Sequence, residues 1–196
     1  MNNTLPELKA FKRAPSLGLS QWENGNLTTN LAEKKDTNGA FFLVEAMLGP
    51  GTEPPPHVHS REDELFYVLE GEFDVYVGKE AFKVEAGECV FLPRFKPHAF
   101  VIRSLRLRVL ALFTPAGLEE AFRGMITPAQ SLELPTGVVT YSTGDLKQTA
   151  QRLSDYGARF LAQDEVAEQM PLYPKPLAPN AGKFATNPKV TEVTHG

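Results

Sequence analysis

The chain has 196 residues, a formal net charge of -4 and a single cysteine. This length suits one domain or one domain with appendages, and the slight acidic excess argues against a general nucleic-acid binder. One cysteine excludes a disulfide framework and a cysteine-rich zinc module, and it fits a reducing cytoplasm. Neither a secretory signal nor an apolar stretch of membrane-spanning length is visible, so no membrane association is expected.

The first part of the chain predicts an N-terminal arm and then the opening strands of a sheet. Residues 1–20 show no strong periodicity, whereas residues 27–31 can form a strand. The Asn38-Gly39 pair that follows is a strong signal for a hairpin turn. Residues 40–48 are apolar almost throughout, which predicts a strand buried on both faces.

A series of short strands separated by turns follows. Apolar and polar residues alternate in several of these segments, with the period of two that is typical of half-buried strands. The predicted strands are 65–69, 73–77, 82–85, 90–92, 99–102 and 105–113. Strands of this length and spacing indicate a sandwich or a barrel. Cys89 precedes an apolar run, so it is predicted to be a small buried hydrophobic residue.

The pattern changes after residue 115. Residues 117–123 predict a short helix, and Asp145 is a candidate N-cap for a second helix that ends near Gly157. From about residue 164 the chain is rich in proline and lacks periodicity, which predicts an extended tail. His195 lies in this tail and is expected to be an exposed histidine without a ligand.

Three of the four histidines lie close together in the sequence, in a pattern that predicts a metal site. His57 and His59 are two residues apart, so on a strand both imidazoles point to the same side. Glu64 follows a polar turn that can fold it back beside them, and His98 begins a later strand that can close the set. Three neutral imidazoles and one carboxylate suit one divalent transition metal ion, which could be Fe, Mn, Ni, Co or Zn.

The spacing of these residues resembles the two motifs of the cupin superfamily. The first motif is matched at every fixed position, by Gly51, His57, His59, Glu64 and Gly71. The second motif is matched in register by Gly87, Pro93 and His98. It departs at two positions, where Phe95 replaces a glycine and Ile102 replaces an asparagine. Neither departure falls on a ligand position.

The resemblance covers roughly residues 40–113 and implies an all-β fold, a single antiparallel jelly-roll barrel with short C-terminal helices and extended termini. Combined with the pattern along the chain, it implies four regions: an arm at 1–20, the barrel at 21–115, a helical extension at 116–162 and a Pro-rich tail at 163–196. It also implies that His57, His59, Glu64 and His98 bind the metal inside the barrel mouth, and that the protein is a homodimer.

The motif spacing also assigns roles to neighbouring residues. Glu62 follows His59 too closely to be the fourth ligand, so Glu62 and Asp63 are interpreted as solvated turn charges. Arg61 and Arg94 are expected to be surface charges, with contact to an anionic substrate as the alternative. Strand parity makes four residues candidates for lining the cavity, with core packing as an equally good explanation: Phe66, Val68, Phe91 and Phe100.

The flanking segments look similar to single-barrel bacterial cupins grouped with quercetin 2,3-dioxygenase. That resemblance implies a metal-dependent dioxygenase whose partner is a small-molecule substrate of the aromatic or enol type. In such enzymes the ligand carboxylate also takes a proton from the substrate, which makes Glu64 both ligand and catalytic base. Two alternatives stay open, namely a ligand-binding or sensing protein without turnover, and a metal-dependent isomerase or decarboxylase.

Overall fold

The structure, a computed structural model, describes residues 7–135 and 143–174. The strands are β1 (Ser20–Glu23), β2 (Asn26–Ala32), β3 (Phe42–Leu48), β4 (His57–His59), β5 (Asp63–Glu70), β6 (Glu72–Val77), β7 (Glu80–Glu85), β8 (Cys89–Leu92), β9 (His98–Ile102), β10 (Leu107–Thr114), β11 (Ile126–Pro128) and β12 (Ala158–Phe160). The helices are α1 (Lys34–Thr37), α2 (Glu119–Phe122), α3 (Thr143–Asp155) and α4 (Gln163–Gln169).

These strands form two antiparallel sheets. The larger sheet has the order β11-β1-β2-β3-β10-β5-β8, and the smaller one has the order β12-β4-β9-β6-β7. Strands far apart in the chain are therefore neighbours, as β3 and β10 are in one sheet and β4 and β9 in the other. An all-β fold of two antiparallel sheets with such crossovers is a jelly roll, and the predicted fold class is confirmed.

The core lies between the inner faces of the two sheets. Phe66 of the larger sheet meets Phe73 and Phe100 of the smaller sheet, and the three rings pack edge to face with centroids 5.6 to 5.7 Å apart. Edge-to-face aromatic pairs add to the free energy of burial. Val68 and Val75, which are fully buried, belong to the same cluster. A continuous apolar layer thus holds the two sheets together.

The sequence prediction for the third strand was wrong about its burial. Residues 42, 44, 46 and 48 of β3 are buried, but the alternate residues 43, 45 and 47 are only half-buried. One face of the strand packs into the core, while Glu45 on the other face pairs with Arg108 of β10. The predicted Asn38-Gly39 turn lies between the antiparallel strands β2 and β3. Helix α1 precedes the turn, so the connection is longer than a tight hairpin.

Cys89 is exposed, which corrects the prediction that it is buried. Strand β8 is an edge strand of the larger sheet, and its residues alternate between the two faces. Val90 and Leu92 point into the core, so Cys89 and Phe91 point outward. An apolar run of four residues is therefore a half-buried strand here, because only one face of the sheet is covered.

The region after residue 115 contributes more than the predicted helices. Strand β11 extends the larger sheet beside β1, and β12 extends the smaller sheet beside β4. Helix α4 forms where the sequence predicted extended chain, and its Val166 packs with Met170 against the outside of the smaller sheet. No helix in the described part of the chain is long and apolar enough to cross a membrane. Residues 175–196, including His195, lie outside the described residues.

Two glycines of the motif pattern allow a test of backbone geometry. Gly71 and Gly87 have φ angles of 87° and 91°. A Cβ at Gly71 would overlap the Arg106 carbonyl oxygen and the Ser104 hydroxyl, whereas a Cβ at Gly87 would meet no atom within 4 Å. The two positions therefore share the conformational cost of a side chain and differ in the steric cost.

We expect Gly71→Ala to lower the free energy of unfolding by about 3 kcal/mol or more, since the steric overlap adds to the left-handed conformation. Gly87→Ala should lower it by only about 1–2 kcal/mol, the conformational cost alone. Urea denaturation of both variants and the wild type measures the difference. Equal losses for the two variants would show that the contacts of Gly71 do not matter.

Candidate metal centre

The four predicted ligand residues come from three strands in two sheets. His57 and His59 lie on β4, and His98 is the first residue of β9, where it is the register partner of His57. Glu64 is on β5, in the other sheet. The turn at residues 60–62 carries the chain from one sheet to the other. The three imidazoles and the carboxylate therefore meet between the sheets.

The structure brings all four side chains together. Each offers one ligand atom, and these four atoms lie within 4.8 Å of one another. The Nε2 atoms of His57 and His98 are 3.1 Å apart, and Oε2 of Glu64 is 3.4 Å from Nε2 of His98. His59, Glu64 and His98 are buried, and His57 is half-buried.

Backbone carbonyls set the tautomers of two of these histidines. Nδ1 of His57 lies 2.9 Å from the carbonyl oxygen of Pro55, and Nδ1 of His98 lies 3.1 Å from that of Lys96. A carbonyl oxygen can only accept a hydrogen bond, so each Nδ1 must carry a proton. In the neutral imidazole this leaves a lone pair on Nε2. The two Nε2 atoms face each other, and each is the ring nitrogen left to bind an ion.

Burial keeps His57 and His59 neutral. Desolvation, assisted by the neighbouring His98, lowers the pKa of His59 to about 3. Desolvation also lowers the pKa of His57 well below its ordinary value of 6.5, and the nearby His98 and His59 act in the same direction. A cation held between the two Nε2 atoms, which are 3.1 Å apart, would receive a lone pair from each ring. The arrangement therefore suits a bound metal ion.

The spacing also fits a transition metal. Two nitrogens bound to one ion at about 2.1 Å each, and at right angles, lie about 3.0 Å apart. The distance between the Nε2 atoms of His57 and His98 agrees with this value. Among the described residues, Nδ1 of His59 is buried and has no hydrogen-bond partner. The donor set of imidazoles and one carboxylate is the kind that binds first-row divalent ions.

The ligands form part of the wall of a cavity of about 190 Å³ between the sheets. Phe66 and Phe100 line it as predicted, and Phe42 and Phe113 add further rings. Val68 is fully buried in the core and Phe91 is 54% exposed, so neither lines the cavity.

Two aromatic rings contact the histidines directly. Phe113 of β10 stacks on His59 with the ring centroids 6.0 Å apart. Phe160 of β12 meets His57 edge-on with the centroids 6.4 Å apart. Phe160 was not among the predicted site residues, because it lies in a region that was predicted to be helical. The pairing of β12 with β4 carries it to the site.

The charged residues of the turn before Glu64 are not all solvated. Glu62 is 3% exposed, its Oε2 has no partner among the described residues, and burial raises its pKa. The prediction that it is a solvated charge was therefore wrong. Glu62 lies near Glu119 of α2, a contact that the local sequence does not reveal. It does not line the cavity that Glu64 lines.

Asp63 and Arg94 form an ion pair. The Nη2 and Nε atoms of Arg94 donate to the Asp63 carboxylate at 2.7 and 3.1 Å, and the Arg94 backbone N–H donates at 2.8 Å. These bonds hold the pKa of Asp63 at about 2. The pair fastens the beginning of β5 to the turn before His98, so Arg94 is already engaged. Arg61 is exposed and does not line the cavity.

The departures from the second motif leave the turn before His98 intact. Phe95 has a φ angle of 65° and so takes the left-handed conformation without being glycine. Its N–H donates to the carbonyl oxygen of His59 at 2.7 Å, which ties this turn to β4. Ile102 is buried, and its N–H donates to Oε1 of Glu53 at 3.0 Å.

Comparison with known proteins places the chain in a family. The model of the Cupin domain family matches residues 44–113. An uncharacterized protein of Streptomyces coelicolor is 33% identical over 108 residues, which cover 55% of this chain and 97% of that protein. The chain belongs to the cupin superfamily. This cupin therefore has both the residues of the two cupin motifs and the jelly-roll fold that the motifs imply.

Other relatives of this cupin are more distant. Quercetin 2,3-dioxygenase of Bacillus subtilis is 24% identical over 105 residues, which cover 54% of this chain but only 31% of that enzyme. This cupin thus spans about a third of the length of that curated relative. An RmlC-like cupin from Shewanella frigidimarina, whose crystal structure is solved, is 27% identical with a TM-score of 0.43, and the match covers 50% of this chain and 82% of that one.

The geometry predicts that metal content depends on the four ligand residues and not on the adjacent carboxylate. Protein purified without chelators or a His-tag should contain about one divalent transition metal ion per chain, as elemental analysis measures. His98→Ala should lose most of the bound metal, because the substitution removes one of the four ligand atoms.

Glu62→Gln is the matched control, since Glu62 is also a buried carboxyl but lies away from the cavity. We expect this variant to keep the metal content of the wild type. Loss of metal from Glu62→Gln as great as that from His98→Ala, or a wild-type protein that takes up no metal, would contradict the assignment of the site.

Proposed function

We propose that this cupin is a metal-dependent dioxygenase that acts on a small aromatic or enol-type molecule. The observation that carries the proposal is the convergence of four ligand atoms in the wall of a cavity lined mainly by apolar and aromatic side chains. The cavity volume of about 190 Å³ is slightly larger than that of an engineered cavity of about 150 Å³ that binds benzene. It suits a compact ring compound.

One divalent ion, with Fe, Mn, Ni, Co and Zn as candidates, would be held by His57, His59, Glu64 and His98. When bound, such an ion polarises a substrate oxygen, and a redox-active ion also exchanges electrons with O₂. The aromatic rings of Phe66, Phe100 and Phe113 line the cavity around this position. They favour an apolar substrate body and exclude water from it.

Glu64 is the group best placed to act as the general base. Nδ1 of His57 and of His98 is engaged by a backbone carbonyl, and Nε2 of each is the atom facing the other ligands. Neither histidine is therefore free to accept a proton. Oε2 of Glu64 lies 3.4 Å from Nε2 of His98, and no hydrogen bond from another described residue engages the Glu64 carboxylate. One of its oxygens can accept the proton of a substrate hydroxyl.

The same site can serve other functions. A metal-dependent isomerase or decarboxylase would use the same ligands without consuming O₂, and a sensing protein would bind a ligand without turnover. Two observations favour the dioxygenase. The cavity lining is predominantly apolar, and one curated relative, although only 24% identical, is a dioxygenase.

The test is oxygen uptake by protein loaded separately with each candidate metal, with a flavonol and a small enediol as trial substrates. We expect uptake with at least one metal and no turnover when O₂ is excluded. Turnover without O₂ would favour the isomerase or decarboxylase, and binding without product would favour the sensing protein. Either result would overturn the proposal that this cupin is a dioxygenase.

Glu64→Gln tests the role of the base. We expect the rate to fall by about 100-fold or more, because a positioned base contributes on the order of 10²–10⁴ to the rate. Metal content is measured in parallel, since Glu64 is also a proposed ligand. Glu62→Gln should leave the rate close to that of the wild type. Full activity of metal-loaded Glu64→Gln would rule out the proton-transfer role.

We also propose that the chain forms a homodimer through the outer face of β5 and β8. Tyr67, Leu69 and Phe91 are neighbours on this face and are 38 to 54% exposed. The charges at the ends of β5 are already paired, Asp63 with Arg94 and Glu70 with Arg106. An apolar surface whose bordering charges are neutralised can pack against its own copy across a two-fold axis.

Light scattering coupled to size-exclusion chromatography tests this proposal. The wild type should have the mass of a dimer, and Phe91→Lys should shift it to the monomer, because a charge would be buried at the centre of the interface. Phe82→Lys is the matched control, since Phe82 is also an exposed phenylalanine but lies on the other sheet. A monomeric wild type, or dimers of both variants, would refute the interface.

A further inference from the structure

One wall of the cavity differs from the rest because it is polar. Strands β1 and β2 and the turn between them contribute it, and the register pairs Gln21 with Thr28 and Glu23 with Asn26. Three strands separate β1 from β5, which carries Glu64, in the larger sheet. The side chains of this wall are Gln21, Glu23, Asn24, Asn26, Thr28 and Asn30.

Several polar groups of this wall already have partners within the protein. The side-chain amide of Gln21 donates to Oδ1 of Asn30, and that of Asn30 donates to Oε1 of Glu33, each at 3.2 Å. Thr52 donates its hydroxyl to Oδ1 of Asn26. Glu23 is different, because no residue in the described ranges forms a hydrogen bond or an ion pair with its carboxyl group.

The surroundings of Glu23 favour a neutral carboxyl group. The side chain is half-buried at the cavity wall, and desolvation raises its pKa to about 8. The one cationic side chain among the described lining residues is Arg159, whose guanidinium already pairs with Glu165 at 2.8 and 2.9 Å. A carboxyl group without a counter-charge presents both a donor O–H and an acceptor oxygen to the cavity.

We propose that Glu23 determines substrate specificity by hydrogen bonding to a neutral hydroxyl or carbonyl group on the part of the substrate farthest from the metal ligands. This inference rests on the proposed function of the same site. The substrate class is a neutral ring compound with an enol or hydroxyl at the metal end, an apolar middle and a polar group at the other end.

The same geometry disfavours an anionic substituent at that end. A carboxylate there would lie beside Glu23, with no unpaired cation in the described lining to balance it. A neutral Glu23 can donate its O–H to that carboxylate but supplies no counter-charge, and desolvation of an unpaired charge is costly. The lining therefore selects against organic acids, while Glu23 selects for neutral hydroxyl compounds.

Three probes that differ at one position test this inference: 3-hydroxychromone, its 7-hydroxy derivative and its 7-carboxylate. Each carries the same enol and carbonyl group for the metal end. Binding to the metal-loaded full chain is measured by calorimetry with oxygen excluded, so that no turnover occurs. The proteins compared are the wild type, Glu23→Leu and Glu23→Gln.

We expect the wild type to bind the 7-hydroxy probe roughly 3- to 10-fold more tightly than 3-hydroxychromone, the effect of one neutral hydrogen bond. It should bind the 7-carboxylate at least about tenfold more weakly than the 7-hydroxy probe. Glu23→Leu should bring the first two probes within about twofold. Glu23→Gln should keep the preference for the hydroxyl, because an amide also donates and accepts.

The metal content of each variant, and its affinity for 3-hydroxychromone, show whether the site is intact. A preference for the 7-hydroxy probe that survives in Glu23→Leu would overturn the role of Glu23, and tight binding of the carboxylate by the wild type would overturn the selection against organic acids. If none of the probes binds, the substrate class is wrong, and the metal content of the same samples decides separately whether the proposed metal function stands.

Discussion

The site depends on one constraint, the approach of the Nε2 atoms of His57 and His98 to 3.1 Å. The carbonyls of Pro55 and Lys96 impose it, since each holds a proton on the opposite ring nitrogen. The surrounding structure must hold these two nitrogens close together if both are to bind one ion. The antiparallel register of His57 with His98 does this from the backbone.

The rest of the barrel supports the same geometry. The N–H of Phe95 ties the turn before His98 to the carbonyl of His59, and the Asp63–Arg94 pair ties that turn to the beginning of β5. Phe113 stacks on the ring of His59. The packed layer of Phe66, Phe73 and Phe100 fixes the distance between the sheets. A carboxylate from one sheet can therefore reach three imidazoles on the other.

The cavity joins this site to a wall of different chemistry. Apolar side chains surround the ligands, and polar ones from β1 and β2 lie across the cavity from β5. The metal-ligand end and the polar end of the cavity would therefore have different roles in the proposed enzyme. The ligand end would activate a hydroxyl or enol group, while the polar wall, through Glu23, would select the remainder of the substrate. The apolar middle excludes water from both.

The sequence by itself was sufficient to predict the fold class and the four residues that meet between the sheets. Strand alternation and motif spacing are local properties, and the parity of β4 places His57 and His59 on one side of the strand wherever the strand lies. The parity of β8 also exists in the sequence, but which of its faces is covered does not. Cys89 was for this reason wrongly predicted to be buried.

Only the tertiary structure decided which distant residues share the site with the ligands. Phe160 reaches His57 because β12 pairs with β4, and the buried Glu62 interacts electrostatically with Glu119 of α2. Glu23 faces the cavity because β1 and β2 extend the larger sheet around it. Burial and the absence of a counter-charge depend on neighbours contributed by remote segments. Periodicity along the chain carries no information about those neighbours.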